Sequence, residues 1–500
     1  MDTASEQWEK RAHLGLNESE ADVAAQFATE SDSLDPKEAA RLRWKIDKHI
    51  LPLMCREYDG LMLPRMTFAD KTTLGQSSVL GILTGAHLNQ TQFNWLGSVF
   101  YLSYLVFEYP QSLALQRFPV GKWMSINIFI WSIALTCHAA CSSFGGLFAA
   151  RFILGVCEGA ITPGFMIVTS MFYTREEQTQ RTGYWFLMNG FAIIFLGFVA
   201  FGVLHTKTDN FMPWQWHGLG TAAHFFIRFF FPDSPTTARF LTPDERVKVV
   251  QRIKVNQTGV ENKTWKRDQF VETFKDPKIW IMVLFAAIGN IVNSLTNQRQ
   301  LIVSQFGFST IQTTLIGCVD GVVEILTIWL GITLASFKPI GRGYAGALMY
   351  IVAILGALLV NLLPSGNKVG LLFSYWVSIF AIAPFPIFLG WVSGLTSGHT
   401  KRITTNALAL SYGKRKYQPR NHVPWTLIAA CNLASGILLL ILRFMLATEN
   451  KRRDMNQHDD TYDDVYVTHV NADGTTEERK VDKAFLDLTD IQNKDFRYLL

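Results

Sequence analysis

Apolar residues in this 500-residue chain come in blocks of about twenty, the length a helix needs to cross the roughly 30 Å hydrocarbon core of a bilayer. That spacing constrains the fold more than any motif does. Inside lipid every backbone polar group must be satisfied internally, and a helix does so within its own segment. Nine blocks are clean: 94–114, 123–141, 145–173, 184–204, 279–295, 313–334, 345–363, 371–395 and 423–446. The expected fold class is an all-α membrane protein.

Three further segments are compromised, at the positions where two sets of six spans would need them. Segment 50–70 carries Arg56, Glu57, Asp59 and Arg65. Four charges at about 2.5–3.5 kcal/mol each near the bilayer centre outweigh its few leucines. Segment 214–231 is interrupted by His217, Gly218, Gly220, His224 and Arg228. Segment 403–413 offers only about 16 Å of helix before Lys414, Arg415 and Lys416.

The one long polar connection, 232–278, divides the chain. Within it Thr242-Pro243-Asp244-Glu245 is a capping box with proline at the first helical position, which predicts a short helix. The organisation expected is a disordered N-terminus (1–44), a first helical bundle (45–231), a linker (232–278), a second bundle (279–446) and a tail (447–500). Polar, acid-rich residues at the start lack the basic and apolar regions of a signal peptide, so insertion is expected to begin at an internal span.

Basic residues concentrate in alternate connections, 116–122 and 175–181 among them, which orients the linker and both termini toward the cytoplasm and Asn89 outward. The connection after Gly413 conflicts with that scheme, since Lys414, Arg415, Lys416 and Arg420 would face outward. Either 403–413 fails to cross and 423–446 carries the tail to the outer face, or the short segment enters partway as a re-entrant piece.

Chemistry concentrates in 145–173, where Arg151 and Glu158 lie within an apolar run. Seven helical residues return to nearly the same azimuth about 10 Å along the axis, so the two share a stripe without pairing. Gly155 and Gly159 flank the stripe, and small residues four apart let a second helix approach closely. Ionisable side chains at that depth imply a polar, protein-lined path. The competing reading has Arg151 snorkelling to a headgroup and Glu158 pairing with a neighbour for packing alone.

With 17% charged residues and a formal net charge of +5 spread over short loops, nothing here suits nucleic acid. Five of the six cysteines, Cys137, Cys141, Cys157, Cys318 and Cys431, lie in or beside apolar blocks and read as packing residues. His217 and His224 lack the i, i+4 spacing of a helical zinc site. No GxSxG or clustered histidine motif supplies a catalytic constellation, so neither an enzyme nor a cofactor is expected.

Five stretches resemble a known family: FADKTTLGQSSVLG at 68–81, FNWLGSVFYLSYLVFEYP at 93–110, RFILGVCEGAITPGF at 151–165, FFPDSPTTARFLTPDE at 230–245 and GHTKR at 398–402. Together with DLTDIQNKDFRY in the tail at 487–498 they resemble the fungal anion:cation symporter family of the major facilitators, in its allantoate permease branch. That resemblance implies two six-helix bundles and uptake of a small organic anion, such as allantoate, another ureide or a nicotinate-like acid, coupled to protons. It further implies a cavity lined by the first, fourth, seventh and tenth helices. Matching positions here are Arg151 and Glu158 in the fourth, Asn290 and Asn293 in the seventh, and Trp391 and Ser393 in the tenth. Asn290 and Asn293 share a face and serve either the ligand or interhelical hydrogen bonds, and Trp391 serves either the cavity or an interface belt.

Glu324, four residues after Asp320 in the eighth block, is a second candidate proton carrier beside Glu158, or else paired and silent. The expected partners are the anion, protons and the lipid bilayer, with a monomer in the plasma membrane. Export of a metabolite through the same cavity, or a degenerate non-transporting role, are the alternatives.

Overall fold

The computed structural model describes residues 34–55, 81–204, 232–292, 299–410, 422–455, 465–470 and 476–500, together with Asp22, Leu74, Ser77, Trp214 and Gln215. Helix α1, Pro36–Cys55, starts on a proline with Glu38 in its first turn. Its buried Leu42, Ile46, Ile50 and Met54 recur every fourth residue and form one apolar stripe. Lys45 and Asp47 beside that stripe pair with Glu245 and Arg181. Segment 50–70, the doubtful first span, lies outside the described residues beyond Cys55, as does 216–231 of the doubtful sixth.

The first half continues with α2 (Gln90–Arg117), α3 (Val120–Ala140), α4 (Phe144–Glu158), α5 (Ile161–Phe172) and α6 (Arg175–Leu204). Asn89 caps α2 reciprocally with Gln92. The linker holds α7 (Pro243–Ile253), opened by the predicted capping box of Thr242 and Glu245, and α8 (Arg267–Lys275). The second half comprises α9 (Pro277–Val292), α10 (Arg299–Gln305), α11 (Thr310–Ser336), α12 (Gly341–Leu362), α13 (Lys368–Ser378), α14 (Pro384–Leu395), α15 (His399–Leu410) and α16 (His422–Met455). A short antiparallel ladder in the tail, β1 (Val465–Val470) on β2 (Thr476–Val481), adds strands to an otherwise helical fold.

Among the described residues seven helical segments are long and apolar enough to cross a membrane. They cover seven of the nine clean blocks. The other two correspond to α2, whose buried Glu108, Gln111 and Gln116 make one face polar, and to α9, apolar but shorter.

The halves meet chiefly along α6 and α11 and, at the linker end, through α2 with α15 and α6 with α14. A Cβ on Gly190 or on Gly321 would come within 2.6 Å of the other's carbonyl oxygen, so the absence of side chains there sets how closely α6 and α11 pack.

Helix α15 begins four residues before the segment expected and is 12 residues long, with residues 411–421 outside the described set. His399, Thr400, Lys401 and Arg402 in its first turn are all buried against protein rather than lipid. One topological alternative is corrected. The start of α15 and the end of α16 lie at the same end of the bundle, both bonding Asp490 through Lys401 and Arg453, and the tail docks on the linker through Lys266–Asp487 and Thr489–Glu272. A tail carried to the face opposite the linker is therefore excluded.

Candidate functional site

The apolar block 145–173 is one long helical segment with a break in its ladder: α4 stops at Glu158, α5 begins at Ile161, and Gly159 and Ala160 between them keep right-handed helical angles. Pro163 accounts for the break: it offers no N–H and its ring crowds the carbonyl four residues back, that of Gly159. Glu158 is thus the last residue before an interruption in the middle of a membrane helix, the kind of place where transporters build polar sites.

Gly155 carries the close approach its spacing suggested. A side chain there would collide with the Phe100 carbonyl and the Ser103 hydroxyl of α2. Gly159 faces α2 at an ordinary distance, 3.5 Å from a would-be Cβ to the Glu108 Cα. This contact brings a second carboxylate, Glu108, beside α4, and both Glu108 and Glu158 are buried. The Tyr104 phenol bonds Thr162 and lies within electrostatic reach of both carboxylates.

Arg151, 2% exposed, points its Nε at His138 of α3, donating to Nε2 at 3.3 Å. His138 must present a lone pair there, so any single ring proton sits on Nδ1. The imidazole stands edge-on to the Trp214 ring, 6.3 Å between centroids. One turn below Glu108, Gln111 donates to Asn127 Oδ1 and the Val156 carbonyl and accepts from Trp123 Nε1. That network pins α2, α3 and α4 together and leaves Arg151 and Glu158 on a rigid frame.

Glu324 belongs elsewhere. It is 0% exposed at the seam between halves, where Asn189 Nδ2 of α6 donates to its Oε1. Asp320, one turn earlier, accepts from Trp376 Nε1 of α13 at 2.7 Å. Trp391 and Ser393 lie on α14, just beyond a 3-10 turn at Ile379–Ile382 and Pro384, the disturbance expected there. The Trp391 indole donates to the Leu499 carbonyl of the tail at 2.7 Å, and Ser393 bonds back to Leu389 within its own helix. Asn290 falls in α9, but its side chain and Asn293 lie outside the described residues.

The structure therefore brings Arg151 and Glu158 onto one helix, puts Glu324 between α6 and α11, and places Trp391 at the linker end. His138, Glu108 and Asn189 are the neighbours the sequence reading passed over. Each had the same signal, a polar residue inside an apolar block.

The family model described as Major Facilitator Superfamily matches residues 66–413. The chain is 30% identical to the allantoate permease of Saccharomyces cerevisiae, covering 96% of this chain and 90% of that protein. It is also 30% identical to the thiamine pathway transporter of that yeast, covering 97% and 95%. An uncharacterized transporter of Schizosaccharomyces pombe is 32% identical over 92% of this chain and 86% of its own length. Among solved structures, the xylose transporter XylE from E. coli in a partially occluded inward-open conformation superposes with a TM-score of 0.53 at 13% identity, covering 77% of this chain and 96% of that one. That likeness bears on the fold alone. The chain belongs to the major facilitator superfamily, among fungal transporters that include the allantoate permease, and is a multi-pass membrane transporter rather than an enzyme.

Proposed function

We propose that this chain takes up a small organic anion across the plasma membrane, coupled to protons, as a monomer working by alternating access. The observation that carries the reading is Arg151, a guanidinium held by His138 in a buried site about two turns from Glu158 on the same helix face. A guanidinium stays charged at any physiological pH and presents a planar fork matched to a carboxylate. Arg151 serves as the anion's counter-charge, and Glu158, at the helix break beside Tyr104 and Glu108, carries the proton.

Asn290 and Asn293 of the seventh span supply further polar contacts to the anion. Trp391 and Ser393 form the linker-end wall of the path. The linker faces the cytoplasm, in keeping with the basic residues at that end. Allantoate, another ureide or a nicotinate-like acid is the substrate class, the first in line with the name of the yeast permease.

The test is uptake of labelled ureides and aromatic acids into proteoliposomes under an inward proton gradient. Glu158→Gln should abolish concentrative uptake and its pH dependence while leaving anion exchange measurable. Glu324→Gln, at the α6–α11 seam, should keep both. If Glu158→Gln still concentrates substrate against a gradient, the proton is carried elsewhere.

A further inference from the structure

At the linker end, residues 486–500 fill the seam where the halves meet, and Thr489, Asp490 and Phe496 are each 0% exposed. These side chains are buried as core residues are, although the segment follows the last membrane helix and leaves Ile491 and Lys494 exposed. We infer that residues 486–500 are a clasp: they hold the two halves closed at the linker end and must detach for that end to open. The inference rests on the alternating-access reading above.

The grip on the second half is broad. The Asp490 carboxylate takes Lys278 Nζ at 2.6 Å, from the start of α9, and Lys401 Nζ at 2.8 Å, from α15. Trp391 of α14 donates to the Leu499 carbonyl. The backbone N–H of Arg342, at the start of α12, donates to Leu500 O at 3.1 Å. Arg453 at the end of α16 donates to the carbonyls of Phe496, Asn493 and Asp490.

Among the described residues, the grip on the first half is carried by Arg175. Arg175, opening α6, donates Nη1 to the Arg497 carbonyl at 2.9 Å and lays its guanidinium on the Phe496 ring, 4.3 Å from Cζ to the centroid. Arg342 Nη2 also donates directly to the Arg175 carbonyl at 2.6 Å. Between these grips the linker supports the tail, with Lys266 Nζ 3.0 Å from Asp487 and His399 bonded to the same carboxylate.

Opening the linker end moves the starts of α6 and α12 apart as two rigid bodies. Phe496 and Arg497 hold the first and Leu500 the second, so three or four consecutive residues cannot follow both. The weaker side yields. Anchored by Lys278, Lys401, Trp391 and Arg453, the tail travels with the second half, and the Arg175 contacts are the ones that break.

The test uses the full chain in lipid nanodiscs with its native cysteines replaced. Spin labels at Phe118→Cys, just beyond α2, and Phe337→Cys, just beyond α11, report the separation of the halves at the linker end; both positions are exposed. Phe496→Ala and Asp490→Asn should each raise the ratio of long to short distances about tenfold, the equivalent of about 1.4 kcal/mol. A short bis-methanethiosulfonate, which joins two cysteines through a disulfide at each end, linking Arg175→Cys to Phe496→Cys should remove the long distance and halt uptake, and reductant should restore both. Unchanged distances in both tail variants, or free opening of the cross-linked chain, would overturn the clasp. Should Asp490→Asn fail to fold, Phe496→Ala and the cross-link decide. The distance measurement needs no substrate, so a parent chain that opens but transports no anion counts against the proposed function and leaves the clasp standing.

Discussion

Arg151 is the residue on which the proposed site turns, and its environment allows a sharper test than deletion. A lysine keeps the charge but loses the planar fork and the Nε–H that engages His138 at 3.3 Å. Arg151→Lys should therefore insert normally and lose most uptake, with a bidentate charge-assisted pair worth about 1.5–3 kcal/mol and so about tenfold or more in affinity. Normal uptake by the lysine variant at equal membrane abundance would remove the anion-clamp role. Arg151 and Glu158 were legible in the sequence because a charge inside an apolar block is costly enough to need a reason. Their partners were not, since hydropathy says which helices exist and nothing of which faces meet. His138 read as one more scattered histidine. Trp391 read as a cavity or belt aromatic because its acceptor, the Leu499 carbonyl, lies 108 residues away.

Single glycines decide how the elements fit. The GxxxG spacing made Gly155 legible, and it is where α2 presses closest on α4. Gly190 and Gly321 carried no motif, yet they set the approach of α6 to α11 and with it the contact between halves. Gly321→Val would drive a branched side chain into the Gly190 carbonyl, 2.6 Å from the new Cβ, and should cost about 1–3 kcal/mol as overpacking does. Gly145→Ala is the control: nothing lies within 4 Å of its Cβ, and alanine favours the helix by up to about 1 kcal/mol. Thermal unfolding in detergent should fall for the first and hold or rise for the second. Equal midpoints would mean that α6 and α11 are not closely apposed at Gly321. Helix existence was the easy part of the sequence, since seven clean blocks recur as long apolar helices. The break at Gly159–Ala160 was harder to see, because Pro163 sits where a proline could also be absorbed in a first turn.

For the whole molecule, the tail and linker share one face, and the carboxylates that join them set the pH range over which they stay joined. Asp487 is held down to about 2: burial alone would raise it, and His399 and Lys266 outweigh burial. Asp490 is likewise lowered, with Lys278 and Lys401 overcoming a complete loss of solvent. A carboxyl whose folded pKa lies below its unfolded value of about 3.9 contributes stability that is fully present above that value. The contribution is lost as pH falls through the folded pKa. For Asp487 the shift corresponds to about 2 kcal/mol. The tail should accordingly stay docked from neutral pH down to about pH 4 and loosen only below it. A spin label at Ile491→Cys, exposed on the docked tail, would read the change as a rise in mobility. No rise in mobility on acidification to about pH 2 would show that the Asp487 and Asp490 pairs do not hold the tail. If the spin label shows the tail indifferent to pH across the neutral range, the pH dependence proposed for uptake falls to groups inside the membrane, and Glu158, buried beside Tyr104 and Glu108, is the proposed one.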